Sequence, residues 1–116
     1  MLLDGSGSHF AVEDVDETIR HRVAELDIHP TGPLWGKGSE PVTGVVAELE
    51  QAVLQCHSQW LEALKRFGLS HDRRALRARV IDLRWSWLAD GDLELEFGLN
   101  PGSYATMVLR ELVEMR

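Results

Sequence analysis

The stretch Leu83-Arg-Trp-Ser-Trp-Leu-Ala-Asp-Gly-Asp-Leu-Glu-Leu-Glu-Phe-Gly-Leu99 decides how the second half of this chain folds. Its alternating apolar positions are Leu83, Trp85 and Trp87 before Asp90-Gly91, and Leu93, Leu95, Phe97 and Leu99 after it. Alternation with a period of two is typical of a strand with one buried face. Asp-Gly between two such runs is a strong hairpin signal. The sequence therefore predicts an antiparallel hairpin, with at least one tryptophan packed in a core.

Further regular structure is predicted on both sides of this hairpin. Upstream, Leu76, Ala78 and Val80 alternate with Arg77, Arg79 and Ile81, which predicts a preceding strand and so an antiparallel strand meander. Downstream, Asn100-Pro-Gly-Ser103 is a sharp turn. The segment from Ala105 to Met115 then carries apolar residues at helical spacing and predicts a closing helix.

The first half of the chain has helical periodicity instead. Asp14 and Glu17 have the spacing of a capping box for a helix that ends near Asp27. Residues 28–41 are rich in Gly and Pro and predict an ordered loop or a linker. One helix, or two with a break near His57, follows up to Gly68. Helices first and antiparallel strands later indicate the α+β class, with a boundary near Gly68–Arg74.

Composition narrows the class of protein. The chain has 116 residues, a net charge of −7 and 44% hydrophobic residues, which is an ordinary globular balance. No apolar run is long enough for a membrane span, and no signal peptide opens the chain. The single Cys56 cannot form an internal disulfide, which favours the cytoplasm.

Positive charge is concentrated in one short segment of this acidic chain. Residues 65–84 hold seven Lys or Arg and only two Asp. This segment, called the basic segment below, is either a solvated surface or a strip that contacts phosphates. Its cations are Lys65, Arg66, Arg73, Arg74, Arg77, Arg79 and Arg84. Flanked by Arg84, the tryptophans Trp85 and Trp87 offer an alternative reading as a base-stacking platform.

Other candidate chemistry is weak. Cys56, His57 and His71 fit no common zinc pattern, so no metal site is expected. His9, His21 and His29 share no spacing and are interpreted as surface or capping residues. Glu94 and Glu96 alternate along one strand, which is typical of a solvated face.

Several segments together resemble the TruD family of tRNA pseudouridine synthases. The most specific is Phe97-Gly-Leu-Asn-Pro-Gly-Ser-Tyr-Ala-Thr-Met-Val-Leu-Arg-Glu-Leu112, which is similar to the family's closing motif. Leu3-Asp-Gly-Ser-Gly-Ser-His-Phe10, Thr31-Gly-Pro-Leu-Trp-Gly36, Arg73-Arg-Ala-Leu-Arg77 and Leu83-Arg-Trp-Ser-Trp-Leu-Ala-Asp90 match in order. The resemblance covers nearly the whole chain.

The resemblance implies two parts and a reaction. Residues 1–75 would belong to the family's inserted domain, and residues 76–116 would be the end of its catalytic domain. The family isomerises a uridine of tRNA, at position 13 by the resemblance, to pseudouridine. It uses one essential aspartate and no cofactor. The implied partners are tRNA and the missing N-terminal catalytic portion, without a metal or a membrane.

The resemblance also implies which site residues are present. The family's aspartate lies in a Gly-x-Lys-Asp motif, and no such motif occurs here, because Lys37 precedes Gly38 and Lys65 precedes Arg66. No catalytic residue is therefore expected in this chain. Tyr104, with Gly102 and Ser103, matches the active-site lining. The family usually has Pro directly after the strand-ending Leu99, where this chain has Asn100.

Three functional hypotheses remain open at this point. The chain is a fragment of an RNA-modifying enzyme that is inactive by itself, a stand-alone RNA-binding module derived from the family, or a small structural domain without an RNA role.

Overall fold

A computed structural model describes residues 1–38 and 42–114 of the chain. The chain divides into two compact units, Met1–Leu76 and Arg77–Arg116. The first unit contains β1 (Leu2–Leu3), α1 (Glu17–Ala24), β2 (Ile28–His29), β3 (Thr31–Leu34), α2 (Gly44–Gln55), α3 (Ser58–Arg66) and β4 (Asp72–Ala75). The second contains β5 (Val80–Trp87), β6 (Leu93–Leu99) and α4 (Ala105–Leu112). Helices and antiparallel strand pairs confirm the α+β class; assignment of the units to the family's domains stays a prediction.

Helix α1 begins later than its sequence predicts. Asp16 caps it, because its side-chain oxygen accepts a hydrogen bond from the backbone N–H of Ile19 at 2.8 Å. The predicted capping box at Asp14 is wrong, since the helix starts at Glu17. An aspartate immediately before the first turn satisfies one of the free N–H groups there.

The segment predicted as a loop from residue 28 to 41 contains two strands within its described part. β2 pairs with β1, and β3 pairs with β4, both antiparallel. Within β3, Pro33 lies opposite Arg73. Gly and Pro disguise such a strand because they disfavour central strands, but a two-stranded pair leaves an outer edge where a missing N–H does no harm.

The core of the first unit is small and centred on β2. Ile28 is fully buried and His29 is 2% exposed. The predicted surface or capping role of His29 is therefore wrong. Its Nε2 lies 2.8 Å from Oδ1 of Asp4, in the turn after β1. A side-chain hydrogen bond thus joins β2 to this turn, in addition to the pairing of β1 with β2.

Helices α2 and α3 settle the alternative between one helix and two. The helical stretch is interrupted at Cys56 and His57, where the N–H of His57 donates a hydrogen bond to the carbonyl of Leu54. Among the described residues, several large apolar side chains at helical spacing on α2, on α3 and just after α3 are exposed. These side chains are Val46, Leu49, Val53, Trp60 and Phe67.

The β5–β6 hairpin of the second unit confirms the turn predicted at Asp90-Gly91. Gly91 has a φ of 90°, and the N–H of Leu88 bonds the carbonyl of Asp92 at 2.8 Å. The predicted separate strand from Leu76 is wrong, because Leu76–Arg79 lie outside strands. The hairpin therefore has two strands and is not a meander.

A β-bulge explains why the apolar positions change phase between Val80 and Leu83. The register shifts between Ile81 and Arg84, and Asp82 has a φ of 50°. A bulge adds one residue to one strand and so moves later side chains to the other face. Val80 opposite Leu99 and Trp85 opposite Leu95 consequently lie on the same side of the hairpin.

Candidate nucleic-acid interface

Tyr104 stands at the junction between a tight turn and helix α4. The N–H of Ser103 bonds the carbonyl of Asn100 at 3.1 Å, and Gly102 has a φ of 87°. Pro at the second position of such a turn and Gly with positive φ at the third are typical of a type II turn. Asn100 thus begins the turn in this chain, and Pro101 occupies the position where its fixed φ suits it.

The turn places Tyr104 directly before α4, with its side chain accessible to solvent. Tyr104 is in the N-cap position, and its carbonyl accepts a hydrogen bond from the N–H of Met107 at 3.0 Å. The residue is 64% exposed, and the neighbouring Ser103 is half-buried. The side chain of Tyr104 is therefore accessible to solvent at the start of α4.

The basic segment is divided between the two units. Lys65 and Arg66 form the last turn of α3, where cations also stabilise the helix C-terminus. Arg73 and Arg74 lie in β4, Arg84 lies in β5, and Arg77 and Arg79 connect those strands. Sequence proximity alone therefore does not make these residues one surface.

Arg73 is the buried member of the basic segment. Its Nη1 and Nη2 donate to Oε2 and Oε1 of Glu50 at 3.0 and 2.6 Å. Its Nε and Nη2 also donate to Oγ1 and the carbonyl oxygen of Thr31 at 2.9 and 3.0 Å. The side chain is only 4% exposed. Glu50 and Thr31 hold its guanidinium, so Arg73 connects β4 to α2. Arg73 is therefore a structural member of the basic segment and does not present its guanidinium to phosphate.

Arg84 and Trp85 point to opposite faces of the hairpin. Arg84 is paired with Glu96 across the strands, and Trp85 is paired with Leu95. Successive side chains of a strand alternate between faces, so Arg84 does not flank a platform made by Trp85 and Trp87. The tryptophans are 65% and 67% exposed, so the predicted core packing of a tryptophan is not formed among the described residues.

Lys37 was not singled out from the sequence, yet the tertiary structure places it beside the basic segment. Its N–H donates to the carbonyl of Leu69 at 2.6 Å, and its carbonyl accepts from the N–H of His71 at 2.9 Å. The available signal was Trp35, whose presence in a Gly- and Pro-rich segment indicated an ordered chain.

Among residues 1–38 and 42–114, no three His, Cys, Asp or Glu side chains come together as metal ligands would. No helix in the same ranges has the length and apolar character to cross a membrane.

Comparison with known proteins agrees with the motifs. The family model described as tRNA pseudouridine synthase D (TruD) matches residues 3–112. The tRNA pseudouridine synthase D of Nitrosococcus oceani is 46% identical over 114 residues, covering 97% of this chain and 32% of that protein.

Two other relatives have the same name and similar coverage. The protein from Hydrogenovibrio crunogenus is 44% identical over 98% of this chain and 33% of its own length. The protein from Xanthomonas euvesicatoria is 47% identical over 96% of this chain and 31% of its own length. The chain thus spans about a third of the curated relatives it matches. A family match over nearly all of its residues shows that the chain belongs to the TruD family.

Proposed function

We propose that this chain is the C-terminal part of a tRNA pseudouridine synthase, an isomerase that converts a uridine of tRNA to pseudouridine. The observation that carries the proposal is the family-model match over residues 3–112, together with relatives named tRNA pseudouridine synthase D that match nearly the whole chain. A cytoplasmic location accords with this role. The remainder of the enzyme corresponds to the two thirds of those relatives that have no counterpart here.

Tyr104 is the residue through which this chain contributes to the reaction. The uracil must be detached from the ribose, turned and rejoined through carbon, so it needs a support that holds a planar ring without a covalent bond. The exposed aromatic ring of Tyr104 supplies such a surface, and Gly102 and Ser103 line the same turn. No cofactor is needed for this isomerisation.

The exposed apolar face of the β5–β6 hairpin is consistent with binding to another protein segment. Trp85, Trp87 and Leu93 are each more than 40% exposed. A two-stranded hairpin alone is marginally stable in water, and large exposed apolar patches mark interaction sites. We assign this face to the N-terminal catalytic portion of the same enzyme, which would also provide the essential aspartate.

The experiment measures release of tritium from tRNA labelled at C5 of uridine, because pseudouridine formation replaces that C–H bond with a C–C bond. The chain alone should release none, since it has no Gly-x-Lys-Asp segment. Adding the N-terminal two thirds of the Nitrosococcus oceani relative should restore release above that of either portion alone.

Two outcomes would contradict the proposal. Tritium release by the chain alone would show that the missing motif is not required. Binding of tRNA by the chain, with no assembly with the N-terminal portion and no tritium release from the mixture, would favour the stand-alone RNA-binding module.

A further inference from the structure

The segments Trp35–Lys37 and Leu69–His71 lie against each other in the first unit. Two backbone hydrogen bonds join Lys37 to Leu69 and His71, and Lys37 forms a parallel bridge with Ser70. A side chain at the buried Gly36 would collide with the backbone of Leu69 and Ser70. This close approach fixes Lys37 beside a segment that lies more than thirty residues later in the sequence.

Trp35 connects this contact to the end of helix α3. The ammonium of Lys65 lies 5.4 Å from the centroid of the Trp35 ring, and the His71 ring meets Trp35 edge-on with centroids 5.8 Å apart. A cation above an indole face is attracted by the ring quadrupole, typically by about 0.5–1 kcal/mol at exposed sites. Trp35 therefore restrains the otherwise flexible Lys65 side chain.

Trp35 positions Lys65 and is not itself proposed to stack on a nucleic-acid base. Besides contacting Lys65 and His71, its ring lines a cleft of about 300 Å³ together with Val42 and Leu54. The two lysines, in contrast, expose their charges. Lys37 is an exposed residue, and the Lys65 side chain is 45% exposed.

The nearby carboxylate of Glu62 does not neutralise Lys65. It lies 3.7 Å from the ammonium, and its side chain is 65% exposed. An exposed pair of this kind contributes little, because water and salt screen it. The Lys65 ammonium therefore stays available to a polyanion.

From this geometry we infer that Lys37, whose backbone is held by Leu69 and His71, and Lys65, whose side chain lies over Trp35, form a phosphate-binding patch for the backbone of tRNA. The patch joins a lysine from the acidic first half to the basic segment, and it excludes the buried Arg73. Its occupant is nucleic acid, because an exposed lysine on a fixed backbone and a second, restrained lysine match a chain of phosphates. The inference rests on the proposed function and adds a contact surface in the first unit.

The test measures tRNA affinity of the 116-residue chain across a series of salt concentrations. Each lost phosphate contact lowers the slope of log K against log salt by roughly 0.7–0.9. The double variant Lys37→Gln, Lys65→Gln should therefore lower it by about 1.4–1.8. The matched control Arg20→Gln removes one exposed charge from α1 and should leave the slope unchanged.

A second variant separates charge from folding. Lys37→Arg with Lys65→Arg keeps both charges and should retain the wild-type slope. An arginine variant that loses as much as the glutamine variant would overturn the inference, as would a glutamine variant with the wild-type slope. Absence of tRNA binding by the wild-type chain would also overturn it, while tritium release by the assembled enzyme reports separately on the proposed function.

Discussion

Arg73 and Glu50 form a two-pronged ion pair between strand β4 and helix α2, with N–O distances of 3.0 and 2.6 Å. Their side chains are 4% and 12% exposed. Removing one partner from such a pair leaves a charge that is cut off from water. The relationship makes one arginine of the basic segment part of the folded framework.

Replacing Glu50 by Ala should lower the free energy of unfolding by about 3–5 kcal/mol, because Arg73 would keep a buried, uncompensated charge. Urea denaturation followed by circular dichroism measures the change. Glu48→Ala, at an exposed position of the same helix, is the control and should stay within about 0.5 kcal/mol of wild type. Equal stability of the two variants would show that the pair contributes nothing.

His29→Ala should lower the free energy of unfolding by about 2–4 kcal/mol, since it opens a cavity and removes the hydrogen-bond partner that Nε2 provides to Asp4. Thermal denaturation provides the measurement. His21→Ala on the exposed side of α1 should be nearly neutral. A His29 variant as stable as the His21 variant would contradict a structural role for the buried contact.

Arg74→Ala should weaken tRNA binding without unfolding the chain. Arg74 is exposed and adjacent to Arg73 in β4, so the two side chains point to opposite faces. Loss of one phosphate contact should lower the salt slope by roughly 0.7–0.9. Arg73→Ala should instead lower the melting temperature. If both variants change only the salt slope, the division between the two arginines is wrong.

Tyr104→Ala should reduce pseudouridine formation by the assembled enzyme with little change in thermal stability. Loss of stacking worth about 1–3 kcal/mol corresponds to roughly a 5- to 150-fold loss of rate. Tyr104→Phe keeps the ring and should retain most activity. Met107→Ala, at another exposed position of the same helix, is the control. Early unfolding of the Tyr104→Ala variant, or full activity, would contradict the assigned role.

Local patterns in the sequence were sufficient for the hairpin and its turn. The Asp90-Gly91 signal and the alternating residues of β6 depend only on neighbours along the chain, so the hairpin could be predicted without the tertiary structure. The change of phase between Val80 and Leu83 is also visible in the sequence. Val80 and Leu83 are predicted to lie in separate strands, whereas β5 contains both, because a bulge absorbs the change of phase.

The roles of the charged residues could not be obtained in this way. Arg73 and Arg74 are adjacent and chemically identical, and the positions of Glu50 and Thr31, 23 and 42 residues earlier, distinguish the buried Arg73 from the exposed Arg74. The same is true of Lys37, which reaches the basic segment through backbone contacts with Leu69 and His71.

The sequence by itself determined the class of fold, the hairpin, the closing turn and the family, because these depend on local periodicity and on motifs read in order. Only the tertiary structure decided that β3 pairs with β4, that His29 is buried, and which cations of the basic segment face solvent. The physical reason is that burial and ion pairing depend on partners brought together by folding, and no property of a single residue or its neighbours identifies them.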